Sequence, residues 1–268
     1  MYQEIIIDEW KKVEDLQLEF SNEIYRGQAD KNWEISTSIS RALGAEEDDP
    51  NNSEFWFLRE FKKGAAHYIS NLPEPDDYIG WLALMQHYGT PTRLIDFTHS
   101  FYVACYFALI GSKVDAAVWS IDFSLLHDIG HSTFSIRRGS LRDEWEDDVY
   151  RATNGFLKNI LSSATNASSY SENPTKAGIV AIEPIQYNLR LRAQQGLFVL
   201  PLDITSSFLE NVNEACSETE PVFKKYILKK ELRFTILGHL KHMNITSETL
   251  FPGMEGFARS IAHRRLDV

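Results

Sequence analysis

The chain has 268 residues, of which 43% are hydrophobic and 24% charged, and its formal net charge at pH 7 is −11. This composition is typical of a globular protein and excludes the collagen-like, disordered and disulfide-scaffold classes. The excess of acid disfavours coating of an anionic membrane or wrapping of an extended nucleic-acid duplex, because such proteins neutralise many phosphates with Lys and Arg. The sequence has only two cysteines, which is typical of a reducing compartment. It shows neither an apolar run near the roughly 20 residues of a membrane span nor a signal-peptide pattern. We therefore expect a cytoplasmic protein.

Hydrophobic periodicity and capping residues predict the elements in chain order. Ser53, Asp76 and Ser100 are suitable N-caps, and Gly89 stands where a glycine ends a helix. The predicted helices are 13–20, 54–72, 77–88, 102–109, 141–158, 232–243 and 254–264. The predicted strands are one that ends at Gly27 and those at 33–39, 116–121, 178–182, 197–200 and 222–230.

These elements favour an α+β or α/β fold in a single domain over residues 1–268, since no linker separates two cores. We expect a small mixed sheet, a buried helical pair and a helical C-terminus. The pair consists of the helices that Asp76 and Ser100 cap. Small alanines of the second helix facing large aromatic side chains permit a close approach between the two.

An arginine at a predicted strand end is the first candidate for chemistry. Tyr25 and Arg26 precede Gly27, so that a cationic fork lies beside backbone N–H groups. This arrangement suits a phosphate or a carboxylate. The alternative is an ordinary surface salt bridge.

A polar segment between two apolar helices is the second candidate. Residues 86–98 read QHYGTPTRLIDFT and contain His87, Thr90, Arg93 and Asp96. A carboxylate in such an apolar corner needs a partner, so we expect Asp96 to pair with Arg93 or Arg26. The alternative is that these residues satisfy one another and only hold the loop together.

Residues 189–198, which read LRLRAQQGLF, are the third candidate. Arg192 and Gln194 can hold a planar ligand or an anion; alternatively, they complete the network of a strand edge. The phosphate-binding loop, the dinucleotide fingerprint, the nucleophile elbow and the zinc spacings are all missing from the sequence, and we expect no metal site.

Taken together, these segments resemble the FRG domain, which is named for its Phe/Tyr-Arg-Gly motif and occurs in bacteria and phages. The resemblance begins with YRGQ at 25–28, Trp33 and the Ser40-Arg41 pair, and its longest block is 86–98. Further blocks are similar at 192–198 (RAQQGLF) and 249–256 (TLFPGMEG), so the motif-bearing region covers about 24–260. Thr37 and Phe97 depart from the family pattern, which usually has Pro and Trp there.

The resemblance implies no settled activity, and two hypotheses follow. The first is a site for a small anionic ligand or nucleotide, with chemistry similar to that of ADP-ribosyltransferases and NAD as a possible cofactor, because parts of both motifs resemble those enzymes. Its predicted catalytic residues are His87 and Glu231. Its predicted ligand-binding residues are Tyr25, Arg26, Gly27, Arg41, Thr90, Arg93, Asp96, Arg192 and Gln194. The second hypothesis is a non-enzymatic module of phage–host conflict that binds a protein or nucleic acid and in which these residues are structural.

Overall fold

The structure is a computed structural model that describes residues 2–18, 22–44, 49–136, 142–162, 177–184, 188–216 and 223–265. Its strands are β1 (Tyr2–Ile7), β2 (Glu23–Gln28), β3 (Ile95–Thr98), β4 (Ala116–Asp122), β5 (Ile179–Ile182), β6 (Gly196–Pro201) and β7 (Phe223–Leu228). Its helices are α1 (Trp10–Leu18), α2 (Ser38–Leu43), α3 (Pro50–Ala65), α4 (Tyr78–His87), α5 (Phe101–Leu109), α6 (Phe123–Thr133), α7 (Arg142–Ser162), α8 (Leu189–Ala193), α9 (Phe208–Ala215), α10 (Arg233–His242), α11 (Ser247–Leu250) and α12 (Met254–Arg265). A 3₁₀ turn at Lys230–Leu232 leads into α10.

One mixed sheet organises these elements. In the described part of the chain it has seven strands, in the order β1-β7-β4-β2-β3-β6-β5. β1 runs parallel to β7, and the other neighbouring strands are antiparallel. The predicted α+β class, the mixed sheet and the helical C-terminus are confirmed. Among the described residues, no helix is long and apolar enough to cross a membrane.

Helices cover both faces of the sheet, in three hydrophobic clusters. One face packs against α6 and α9 through residues such as Ile24 and Leu197. On the opposite face, α5 and α10 cover β2, β4 and β7, whereas α3, α4 and α7 pack near β5 and β6 through Phe198. Strand side chains alternate between faces, and the register places Tyr25, Thr98 and Phe198 on this second face. Two helical groups therefore share one face, with the centre of the sheet between them.

The predicted packing between the helices capped by Asp76 and Ser100 is wrong. The N-cap of α4 is Asp77, and α4 contacts α3 and α7, whereas α5 contacts β2, β4 and α10. Both helices are buried, but they belong to different clusters. The reason is that α4 and α5 cover different strands of the broad sheet.

Two strand assignments also need correction. The alternating segment 33–39 is not a strand, because the Thr37 side chain accepts from the backbone N–H of Ser40 and caps α2. Conversely, the end of the polar segment 86–98 is not a loop. It forms β3, which pairs with β6 over its whole length near the centre of the sheet.

An ion network fixes the start of β4. Asp115 accepts from Lys31 Nζ at 3.1 Å, from Lys229 Nζ at 2.9 Å and from the backbone N–H of Lys230 at 3.1 Å. Mainly because of Lys229, the pKa of Asp115 falls to about 2 from its ordinary 3.8. Because the folded-state pKa is the lower one, this stabilisation is present above about pH 4 and is lost as the pH falls towards 2.

We expect Asp115→Asn to lower the free energy of unfolding by about 1–2 kcal/mol at pH 6, since both lysines are partly solvated. The difference from the wild type should shrink between pH 4 and pH 2. Urea unfolding at a series of pH values measures it. Asp15→Asn, which removes an exposed pair with Lys11, is the control and should change the stability by less than about 0.5 kcal/mol. A constant difference from pH 6 to pH 2 would contradict the assigned network.

Candidate functional site

The sheet opens between its two central strands. β2 and β3 are neighbours, yet Tyr25 and Thr98 are their only paired residues in the described structure. Beyond this pair, 26–28 and 95–97 keep their ladders with β4 and β6 on their outer edges but are not paired with each other in the described structure, so β2 and β3 diverge. The divergence leaves backbone groups and side chains facing a gap rather than a neighbouring strand, which is where a ligand can enter a sheet.

A cavity of about 910 Å³ lies at this opening. We call it the main cleft. Its floor comes from β2 and β3, and its walls come from α5, from the 32–36 segment and from α8. The charged and aromatic residues that line it are Arg26, Arg41, Arg190, Glu34, Asp96, Tyr25, Trp33, Phe97 and Phe107. Its size and its mixture of aromatic and charged groups are typical of a small-molecule site.

Arg26 is the central cation of the main cleft. Its Nη1 donates to the backbone carbonyl of Asp96 at 2.7 Å, across the gap between β2 and β3. Its Nε is buried and has no hydrogen-bond partner in the described structure. Burial lowers the pKa of Arg26, the Asp96 carboxylate opposes this shift, and Arg41 adds to it. Among the described residues, this half-buried guanidinium has no ion-pair partner within 4.0 Å, which makes it a suitable partner for an anion.

Two further arginines converge on the same cavity. Arg41 Nη1 donates to the backbone carbonyl of Ser36 at 2.6 Å, which directs its guanidinium along the wall. Arg190 stacks on the Phe251 ring, with its Cζ 4.7 Å from the ring centroid. Neither forms a salt bridge with a carboxylate in the described part of the chain. Three guanidinium groups thus line the main cleft without a salt bridge to a carboxylate of the described residues, an arrangement that suits an anion.

Two carboxylates share the main cleft with these arginines. Asp96 is exposed, and its Oδ2 accepts from Gln86 Nε2 at 3.0 Å. The predicted pairing of its carboxylate with Arg93 or Arg26 is therefore wrong, because Arg26 reaches the backbone carbonyl of Asp96 instead. Glu34, which the sequence interpretation missed, lines the cavity from the 32–36 segment.

Aromatic side chains complete the wall. Trp33 is 56% exposed although it is one of the largest apolar side chains, and it lines the main cleft. Phe107 on α5 is half-buried and also lines it, with its ring 5.9 Å from that of Phe251. Accessible rings beside cationic groups suit a planar aromatic ligand that carries negative charge.

A smaller cavity of about 220 Å³ adjoins the main cleft. We call it the side chamber. It is lined by His87 and Thr90, and it shares Asp96, Arg190 and Gln194 with the main cleft. Burial and the charge of Arg190 lower the pKa of His87, while Glu255 opposes the shift. His87 is therefore neutral at pH 7 and able to donate or accept one hydrogen bond at each ring nitrogen.

Arg93, a predicted ligand-binding residue, lies outside both cavities. Its side chain is 0% exposed, and its Nε is 2.6 Å from Oε2 of the equally buried Glu54. Its Nη1 donates a hydrogen bond to the Leu202 carbonyl, and its Nη2 donates one to Asn51 Oδ1. The structure therefore places Arg93 in a buried ion pair with Glu54 on the buried face of α3, and not with the predicted ligand-binding residues at the cavities.

Two other predicted site residues also lie away from the cavities. Arg192 is exposed, and Arg190, two positions earlier on α8, lines both cavities in its place. The predicted catalytic Glu231 is exposed in the 3₁₀ turn, where its nearest ion partner is Lys230 at 4.0 Å. Among the described residues, no group of His, Cys, Asp and Glu is arranged to hold a metal ion.

The remaining predicted residues do meet at the cavities. Tyr25, Arg26, Gly27, Arg41, Asp96 and Gln194 line the main cleft, and His87 and Thr90 line the side chamber. Gln194 Nε2 donates to the Leu250 carbonyl at 3.0 Å, which joins the wall to the C-terminal part of the chain. Gly27 is needed for packing, because a Cβ there would be 2.1 Å from the carbonyl oxygen of Ala104.

Comparison with protein families finds a match in the N-terminal half of the chain. Residues 21–116 match the family model of the FRG domain. This segment is therefore similar to an FRG domain. The FRG match includes β2, α2, α3, α4, β3 and α5, and therefore Arg26, the Arg93–Glu54 pair and Asp96. No curated protein and no solved structure matches the chain.

The FRG match ends before the last wall of the main cleft is reached. Arg190, Gln194 and Phe251 lie outside it, so the family resemblance at 192–198 and 249–256 remains a prediction. The single domain over residues 1–268 also remains a prediction. In the structure, β2 and β3 of the matched segment nevertheless share one sheet with β6, and α8 supplies a wall of the main cleft.

Proposed function

We propose that the main cleft binds a nucleotide through its phosphate groups. The observation that carries the proposal is Arg26, whose buried Nε has no partner among the described residues and whose charge no carboxylate neutralises within 4.0 Å. Arg41 and Arg190 add two more guanidinium groups at the same cavity. Arg93 has a different environment, because its guanidinium donates hydrogen bonds to Glu54, Asn51 and the Leu202 carbonyl.

The rest of the cleft favours a nucleotide over a free inorganic anion. Trp33 and Phe107 offer aromatic surface beside the arginines, which suits stacking of a base. The net charge of −11 repels anions at long range. Capture therefore depends on directed, short-range donors inside the cavity, where salt screens less than at the surface. A single nucleotide fits such a site better than an extended duplex, which needs a broad basic surface.

The test is calorimetry of the wild type with NAD, ATP and short single-stranded oligonucleotides. We expect at least one nucleotide to bind and Arg26→Met to weaken it by about tenfold or more, since hydrogen bonds to charged groups contribute about 1.5–3 kcal/mol. Arg151→Met removes an arginine that is 70% exposed on α7, and this control should bind as the wild type does. Failure of all ligands to bind, or equal binding by Arg26→Met, would refute the proposal.

NAD cleavage is a second candidate function, and the carboxylates of the main cleft favour it. Asp96 and Glu34 line the same cavity as the three arginines. In hydrolysis of NAD, the bond between nicotinamide and the ribose breaks, nicotinamide leaves, and water adds to the ribose carbon to give ADP-ribose and a proton. Positive charge develops on the sugar ring during this step, and a nearby carboxylate stabilises it. We propose Asp96 or Glu34 for this role in place of Glu231, with His87 as the titratable group of the side chamber.

Release of nicotinamide from NAD, followed by chromatography, separates this candidate from simple binding. If NAD is cleaved, Asp96→Asn or Glu34→Gln should lower kcat by about a hundredfold while NAD still binds. If NAD binds without nicotinamide release, the FRG chain is a nucleotide-binding module without this activity. If no nucleotide binds, the remaining hypothesis is the protein- or nucleic-acid-binding module of phage–host conflict.

A further inference from the structure

The side chamber opens from the main cleft at residues that both cavities share. Arg190 and Gln194 from the α8 region and Asp96 from β3 line both. The guanidinium of Arg190 is held at this junction by stacking on Phe251, whose ring also lies 4.2 Å from the Arg259 Cζ. The junction between a cavity of about 910 Å³ and one of about 220 Å³ is thus marked by a fixed cation.

The chemistry of the side chamber differs from that of the main cleft. Away from the shared junction, its polar side chains carry no formal charge at pH 7: they are the hydroxyls of Ser38 and Thr90, the amides of Gln86 and Asn188, and the His87 ring. The Thr90 hydroxyl and the His87 ring form no hydrogen bond with described residues, so they are available to a ligand. Neutral donors and acceptors of this kind bind sugar hydroxyls rather than a further phosphate.

We propose that the ligand is a nucleoside diphosphate with a sugar on its far phosphate, and that the side chamber binds the sugar hydroxyls. This inference rests on the proposed nucleotide binding. The diphosphate lies between Arg26 and Arg190, and the base lies on the aromatic wall of the main cleft. Thr90 and His87 bind the terminal sugar. The guanidinium of Arg190, at the junction of the two cavities, marks the boundary between the charged diphosphate and the uncharged sugar of the ligand.

ADP and ADP-ribose are the probes that test the inference. ADP-ribose extends ADP by one ribose and carries less negative charge near neutral pH, so a site that responds to charge alone binds ADP more tightly. We expect the wild type to bind ADP-ribose about tenfold more tightly than ADP, as measured by calorimetry at fixed salt. Thr90→Val and His87→Gln should each reduce this ratio of dissociation constants to about threefold or less.

The control is Thr235→Val, the same change at an exposed position on α10, which should leave both dissociation constants unchanged. Near-UV circular dichroism checks that each variant is folded, and two independent variants guard against the loss of one. If ADP binds through Arg26 but ADP-ribose binds no more tightly, or if the ratio survives both substitutions, the inference is overturned while the proposed function stands. If the wild type binds neither probe and no other nucleotide, both fail.

Discussion

Glu54→Gln is expected to lower the free energy of unfolding by about 3–5 kcal/mol, because it leaves the buried Arg93 charge uncompensated. Both side chains are 0% exposed, and Glu54 also accepts from the backbone N–H of Arg93 at 2.7 Å. Water therefore cannot replace the missing carboxylate charge. Urea denaturation followed by circular dichroism measures the change.

A double variant separates the pair from its surroundings. In Glu54→Leu/Arg93→Met both charges disappear, and apolar replacement of a buried pair is often close to neutral. We expect the double variant to be more stable than either single variant. Glu60→Gln, which removes an exposed pair with Lys63 on the same helix, should change stability by less than about 0.5 kcal/mol. If Glu54→Gln lowers the free energy of unfolding no more than Glu60→Gln does, the buried Arg93–Glu54 pair does not stabilise this part of the fold.

The Arg93–Glu54 pair also positions the site. The hydroxyl group of Thr92, the residue before Arg93, donates a hydrogen bond to Gln86 Oε1 at 2.7 Å. Gln86 Nε2 in turn donates to the Leu94 carbonyl and to Asp96 Oδ2. The buried pair thus anchors the segment from which β3 begins, and Gln86 holds the Asp96 carboxylate at the opening of the sheet. If the main cleft binds a nucleotide as proposed, loss of the pair should weaken that binding only through displacement of β3.

Local sequence signals predicted the elements whose sequences are long and periodic. The N-cap at Ser100, the glycine after α4 and the strands β4, β6 and β7 are confirmed within a few residues. β3 was missed because it has only four residues, and two of them, Asp96 and Thr98, are polar. Its partners, β2 and β6, are about 70 and 100 residues away in the chain, and no local pattern shows such pairing.

The site residues show the same division between local and distant information. The Arg26 and 86–98 motifs were found, but sequence could not distinguish Arg26, which lines the cleft, from Arg93, which is buried. A signal for Arg93 did exist: Glu54 lies four residues before Leu58, on the apolar face of α3. A charge on that face needs a buried partner. Arg190 and Arg192 differ because residues two apart on a helix point about 200° apart, and α8 itself was not predicted.

Gly27→Ala is expected to destabilise the chain by about 3 kcal/mol or more. An added Cβ would lie 2.1 Å from the Ala104 carbonyl oxygen and 2.7 Å from the Ala108 amide nitrogen. Both atoms belong to the backbone of α5, so relief requires movement of the helix or of β2 rather than a change of rotamer. β2 is itself fixed by its ladder with β4.

The same substitution in a helix gives a control of opposite sign. Gly155 is exposed within α7, and nothing lies within 4 Å of a Cβ added there. Gly155→Ala should therefore raise the stability by up to about 1 kcal/mol, through the higher helix propensity of alanine. Thermal and urea unfolding of both variants provide the comparison.

The outcome for Gly27 separates two roles of the Tyr-Arg-Gly motif. If the glycine served only to bring ligand close to the backbone, Gly27→Ala would fold with wild-type stability and lose binding alone. The contact with Ala104 and Ala108 instead makes close approach of α5 to β2 the primary requirement. In that case two adjacent residues of the motif have different roles. Gly27 allows α5 to pack closely against β2. Arg26 extends across the gap to β3 and lines the main cleft, where its Nε has no hydrogen-bond partner among the described residues.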